Sequence, residues 1–222
     1  MENQLFEQYQ REEKFQELLT LINQLIDEGN NYLPDLLVKR AIVYRRMQQW
    51  QQSVEDLSKA IELNDVHVDA YFERAVTYFH MKQRDLCLND LDKAVELQPG
   101  NPYRYSGRAY IKASYGMIED AIKDYEKALE LDPDDAIVYN NLGLLYENMG
   151  RKDFATQYFE KADKLAGING KNHHKAEQSK EELKIVAEYD KPSLWKMIKL
   201  LFTNRDVRKD YFRYLKNIFR IK

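Results

Sequence analysis

At 222 residues, with 44% hydrophobic content, the chain has the length for one or two compact domains or one elongated repeat array, and the composition to bury a core. Its formal net charge of -3 hides an asymmetry: residues 191–222 hold ten Lys or Arg against Asp206 and Asp210, a net of +8, which leaves -11 on the first 190. Cys87 is the only cysteine, which excludes an intrachain disulfide, and no segment approaches the roughly 20 apolar residues that a membrane-spanning helix requires.

In chain order, the N-terminal MENQLFEQYQREEKF is charged from Glu2 onward and lacks the apolar core of a secretory signal, so export by that route is not expected. The expectation is a soluble cytoplasmic chain, with peripheral attachment to a membrane as the alternative. Phe6, Tyr9, Phe15, Leu18, Ile22 and Leu25 then show helical spacing, and the turn Gly29-Asn30-Asn31 leads to Pro34.

From Pro34 a unit of 34 residues recurs. EDLSKAIELN (55–64), NDLDKAVELQP (89–99), KDYEKALELDP (123–133) and TQYFEKADKLA (156–166) share one frame, and the preceding halves agree from LVKRAIVYRRM (37–47) to YNNLGLLYENM (139–149). Small residues fall in three columns: Ala41, Ala75, Ala109 and Gly143; Ser53, Cys87, Ala121 and Ala155; Ala60, Ala94, Ala128 and Ala162. A large side chain at any of these would hold two helices apart, so the columns mark close approach of helix axes. Large residues fill the columns between, as in Leu57, Leu91, Tyr125 and Phe159, and apolar spacing of three and four predicts a helix in each half of every unit. Pro99 and Pro133 close two units, where proline stops the preceding helix.

The pattern resembles the tetratricopeptide repeat over residues 34–167, as four units of 34–67, 68–101, 102–135 and 136–167. The resemblance implies an all-α fold, a right-handed superhelical solenoid of antiparallel helix pairs with a concave ligand groove. Residues 1–33 read as a degenerate N-terminal pair or cap, because Phe6, Leu18 and Leu25 stand where later units have small residues. Residues 168–190 read as a polar capping helix, and residues 191–222 as two basic amphipathic helices after the break at Pro192, the second opened by Thr203 and Asp206.

The sequence carries little that points to catalytic chemistry. There is no GxxxxGKS/T loop, no HExxH and no CxxC; the adjacent His173 and His174 would point about 100 degrees apart on a helix and could not share a metal. Cys87 stands in a small-residue packing column. A noncatalytic chain with no cofactor and no metal is expected. The resemblance implies a groove lined by the first helix of each unit: Val38, Ile42, Arg45 and Arg46; Phe72, Val76 and Phe79; Tyr103 and Tyr110; Ile137, Asn140 and Leu144. One subset of the family grips a peptide carboxylate with a lysine and asparagine clamp; Val38, Ile42 and Glu73 occupy those positions here, so that clamp is not expected. A largely apolar groove favours an apolar helical or extended protein segment as its partner. Some of these aromatics would instead pack between neighbouring helices.

In the tail, SLWKMIKLLF (193–202) presents Leu194, Trp195, Ile198, Leu201 and Phe202 over most of a helical wheel, and Lys209, Arg213, Lys216 and Arg220 form a basic stripe on the next helix. Three readings compete. The tail docks on its own solenoid as a cap or displaceable internal ligand; it anchors the chain to an anionic membrane surface; or it contacts nucleic acid, the least supported because the body is acidic. Pairing of two copies through their tails stays open, so self-association is among the expected partnerships.

Overall fold

The computed structural model describes residues 14–28 and 33–167, which lie in the first of two units that divide at Gly170. Among the described residues there are nine α-helices and no strand. They are α1 (Phe15–Asp27), α2 (Leu33–Arg46), α3 (Trp50–Leu63), α4 (Val68–His80), α5 (Arg84–Leu97), α6 (Pro102–Ser114), α7 (Ile118–Leu131), α8 (Ala136–Asn148) and α9 (Lys152–Ala166). The second helices of the four units begin at 50, 84, 118 and 152, so the 34-residue period of the sequence is also the period of the structure. This is an all-α solenoid of antiparallel pairs: α2 packs on α3, α4 on α5, α6 on α7 and α8 on α9, and each pair packs on the next.

The small columns explain the close packing. Ala41, Ala75, Ala109, Ala60, Ala94 and Ala128 are fully buried, as are Ser53, Cys87 and Ala121, so helix axes approach over them without a side chain intervening. Leu57, Leu91 and Tyr125 fill the spaces between and are themselves buried. Two glycines admit an aromatic ring. A Cβ on Gly107 would sit 2.5 Å from the Phe72 ring, and one on Gly143 would sit 2.5 Å from the Phe159 ring.

The turns repeat as faithfully as the helices. The first helix of each unit ends in a Schellman motif: Gln48, Lys82, Gly116 and Gly150 take left-handed φ values of 59, 60, 76 and 74 degrees. The following N–H reaches back to the helix, from Gln49 to Tyr44 O at 2.8 Å and from Gln83, Met117 and Arg151 to Tyr78, Lys112 and Tyr146 O at 2.9 Å. The second turn of each unit supplies a side-chain N-cap for the next: His67 Nδ1 accepts from Ala70 N, Asn101 from Tyr103 N, and Asp135 from Ile137 and Val138 N. Pro99 and Pro133 lie in these second turns, past the ends of α5 and α7.

Helix α1 occupies the place of a second helix of a preceding unit. Leu18, Leu19 and Ile22 are buried with Leu36 and Val43 of α2. Leu18, large where later units are small, is fully buried. The first-helix half of that unit, residues 1–13, lies outside the described residues, as do the capping segment 168–190 and the tail helices 191–222.

Candidate functional site

The first helices α2, α4, α6 and α8 carry the positions the sequence assigned to a groove, and the structure sorts them into two groups. Ile42, Val76, Tyr110 and Leu144 recur every 34 residues and are half-buried, each leaving apolar surface open. Phe79, Tyr103, Arg46 and Asn140 are half-buried as well, and Ile137 is 42% exposed. Val38, Phe72 and Arg45 are buried, with 6%, 4% and 3% of their surface exposed.

The buried three have definite structural partners. Val38 packs with Leu37, Ala41, Leu57 and Ala70 in the core of the first unit. Phe72 enters the space over Gly107 and meets the Tyr103 ring at 5.3 Å, while the Arg104 guanidinium lies 5.1 Å from the Phe72 ring centroid and pairs with Asp69. Arg45 Nη2 pairs with Glu73 Oε2 at 2.6 Å, tying α2 to α4. Glu73 stands where the family's clamp would carry an asparagine, and here it accepts from arginine of the neighbouring unit.

Beside Phe79 an aromatic run links three units. Trp50 stacks on His80 at 5.0 Å, Phe79 meets His80 at 5.8 Å and Tyr115 edge-on at 5.5 Å, and Lys82 and Arg84 lie over the Phe79 and Tyr115 rings. The Tyr115 hydroxyl is buried next to the Cys87 thiol. Burial pushes both up to about 12, so neither ionises near neutral pH. Among the described residues no group of His, Cys, Asp or Glu could hold a metal ion, and no helix is long and apolar enough to cross a membrane.

Sequence reasoning missed a polar framework that runs behind the groove. Arg40, Arg74 and Arg108 on the first helices each hold Asp56, Asp90 or Asp124 of their own unit through two parallel hydrogen bonds of 2.6–2.9 Å. The third nitrogen of each reaches the preceding second helix: Asn23 at 2.7 Å, Ser58 Oγ at 3.0 Å and Asp92 at 2.7 Å. Hydrogen bonding to Asp56 and Asp90 raises the Arg40 and Arg74 pKa values against desolvation. At Arg108 desolvation is the largest effect and favours the neutral form, yet the bonds to Asp124 and Asp92 outweigh it. The signal was present, since both columns repeat at 34 residues.

The tail positions Leu194, Trp195, Ile198, Leu201, Phe202, Lys209, Arg213, Lys216 and Arg220 lie outside the described residues.

Comparison with known proteins agrees with this architecture. Tetratricopeptide repeat models match residues 38–102 and 136–169, and a TPR repeat model matches residues 107–150. A search of curated proteins by sequence found no match. Among solved structures, a crystal structure of MamA is 23% identical with a TM-score of 0.61, over 73% of this chain and 94% of that one. MamA 41-end from Desulfovibrio magneticus RS-1 is 20% identical with a TM-score of 0.62, over 75% and 93%. At such identity the likeness speaks for the fold. With its 34-residue helix pairs, small-residue columns and matching family models, the chain belongs to the tetratricopeptide repeat family.

Proposed function

We propose that this protein-interaction scaffold is noncatalytic and cytoplasmic, and takes an apolar helical or extended polypeptide segment on the inner face of α2, α4, α6 and α8. The observation that carries the reading is the register of Ile42, Val76, Tyr110 and Leu144, one half-buried apolar side chain per first helix at each 34-residue step. Phe79, Tyr103 and Ile137 widen the strip, while Val38 and Phe72 support it from beneath. The test is a photo-cross-linking side chain at Tyr110 in the full chain, with Glu96 on an exposed helix face as the reference. Polypeptide adducts at 110 and not at 96 support the reading; equal labelling of both positions sinks it.

We further propose that the chain's own residues 191–222 pack on the repeat array, as a cap or as a displaceable internal ligand. Their +8 against the -11 of the first 190 residues supports this reading, as does the apolar run 193–202. Truncation after Tyr189 is then expected to speed amide exchange around Val76, Tyr110 and Leu144. Unchanged exchange would remove the internal ligand and leave an external one. A membrane-adaptor reading rests on the tail alone, and sedimentation with anionic vesicles separates it from both.

A further inference from the structure

The apolar core of the solenoid changes character between α3 and α4. The buried side chains of α1–α3 gather in two clusters joined through Ile26, which packs against both. Those of α4–α9 gather in two more, joined in the same way through Tyr110. Among the described residues only Ala70 crosses from one half to the other: it stands on α4 and packs with the cluster of Leu37, Ala41, Leu57 and Ala60.

What stands at the centre of the α3–α4 boundary is polar. Ser53 and Thr77 are both fully buried, with their hydroxyl oxygens 3.0 Å apart. Thr77 donates its own proton to Glu73 O at 2.9 Å, so the bond between the hydroxyls is donated by Ser53. One repeat on, the same two positions are Cys87 and Ile111, and two repeats on they are Ala121 and Leu145; each of these pairs lies within a single apolar cluster. Further ties across the boundary are the Arg45–Glu73 pair, the Arg74 bond to Ser58, the His67–Asp35 contact and the Trp50–His80 stack.

Small facing residues bring α3 and α4 close together, but close backbones do not by themselves bury much apolar area. When a boundary of this kind opens, hydroxyls and ion-pairing groups exchange their partners for water and recover most of what they lose. An apolar face recovers nothing.

We propose that the solenoid consists of two cooperative blocks, α1–α3 and α4–α9, which open against each other at the Ser53–Thr77 boundary. Ile42 stands on the first block and Val76 on the second, so opening changes the spacing of the first two groove positions. A polypeptide laid across both would hold the blocks together. That consequence rests on the groove reading; the boundary itself does not.

Native-state amide exchange of the full chain, in urea below the unfolding midpoint, tests it. The protected amides of α2 and α3 should exchange as one group with a common urea dependence, at least about tenfold faster than the slowest amides of α4–α7, with a step between α3 and α4. Ser53→Ala with Thr77→Val removes both hydroxyls at nearly constant volume and makes the boundary apolar, as Ala121 and Leu145 make theirs. Circular dichroism should be unchanged, and the step should shrink at least about threefold. A single rate for all the helices overturns the proposal, as does a rate that rises gradually toward both ends of the array, which is fraying. A step at another boundary, or one that the double variant leaves as large as before, overturns it too. The exchange needs no bound segment and the cross-linking at Tyr110 is read separately, so failure here is distinguishable from failure of the groove reading.

Discussion

Arg74 and Asp90 face each other across the two helices of one unit, Nε to Oδ2 at 2.7 Å and Nη2 to Oδ1 at 2.9 Å, with 19% and 9% of their side chains exposed. The same pair stands 34 residues earlier as Arg40 and Asp56 and 34 later as Arg108 and Asp124. In the fourth unit the positions are Leu142, fully buried, and Tyr158, which stacks on Tyr146 at 5.2 Å. One repeat thus does with apolar and aromatic packing what three do with a charge pair.

Breaking one partner should therefore cost far more than replacing both. Asp90→Ala leaves the Arg74 guanidinium largely buried with only Ser58 Oγ to donate to, and should lower stability by about 2–4 kcal/mol. Arg74→Leu with Asp90→Tyr copies the fourth unit, and Tyr78 stands where Tyr146 does there. Urea unfolding should show the double variant recovering more than half of the loss. A double variant as unstable as the sum of the singles would refute the equivalence of the two solutions.

The non-glycine residues in the left-handed turns predict a gain. Gln48 and Lys82 hold φ near +60 degrees, where an L side chain crowds the backbone by about 1–2 kcal/mol, while glycine gives back about 0.5–1 kcal/mol of unfolded-state entropy. Gln48→Gly and Lys82→Gly should each raise the melting temperature slightly, and Gly116→Val should lower it. No change in either glycine variant would mean that the turn is not strained.

Phe72 illustrates why a groove position can be a core position. Gly107→Ala places a methyl 2.5 Å from the Phe72 ring and should cost about 1–3 kcal/mol. Adding Phe72→Leu should recover part of it by vacating the space. Phe72→Ala alone should lower stability by about 3–5 kcal/mol, a loss that thermal unfolding without any ligand will show. If unfolding is indifferent and only binding suffers, the ring belongs to the ligand surface after all.

The period, the helix pairs and the small columns were legible because each depends on residues close in sequence or one repeat apart. Val38, Phe72 and Arg45 were harder, since carrying a family's lining positions over says which helix face a residue is on, not how deep it sits. That depth is set by Gly107, 35 residues beyond Phe72, and by Glu73, 28 beyond Arg45. The Arg and Asp columns repeat as visibly as the alanines, yet surface charge is the usual reading of such residues. Only the two parallel hydrogen bonds in space show them to be packing elements. Gln48 and Lys82 carried no turn signature, because glycine is the residue by which a left-handed turn announces itself.

Cys87 and Tyr115 give a prediction about alkali. Burial lifts the thiol from an ordinary 9.0 to about 12, so the folded chain holds its proton over a range where the unfolded chain gives it up. With fewer protons bound to the unfolded state, stability must fall as pH rises: the contribution is complete below about pH 9 and is lost between there and about pH 12. Cys87→Ala should flatten the pH dependence of urea unfolding over that window. At pH 8 the native thiol should react with iodoacetamide at least about a hundredfold more slowly than in denaturant, as its thiolate fraction and its full burial both require. Tyr115→Phe removes a buried hydroxyl without an oxygen or nitrogen partner, so it should change stability little or raise it by up to about 1 kcal/mol. A native alkylation rate close to the denatured one would show that Cys87 is reached by solvent, and with it the packing of the second unit would have to be more open than its small-residue column implies.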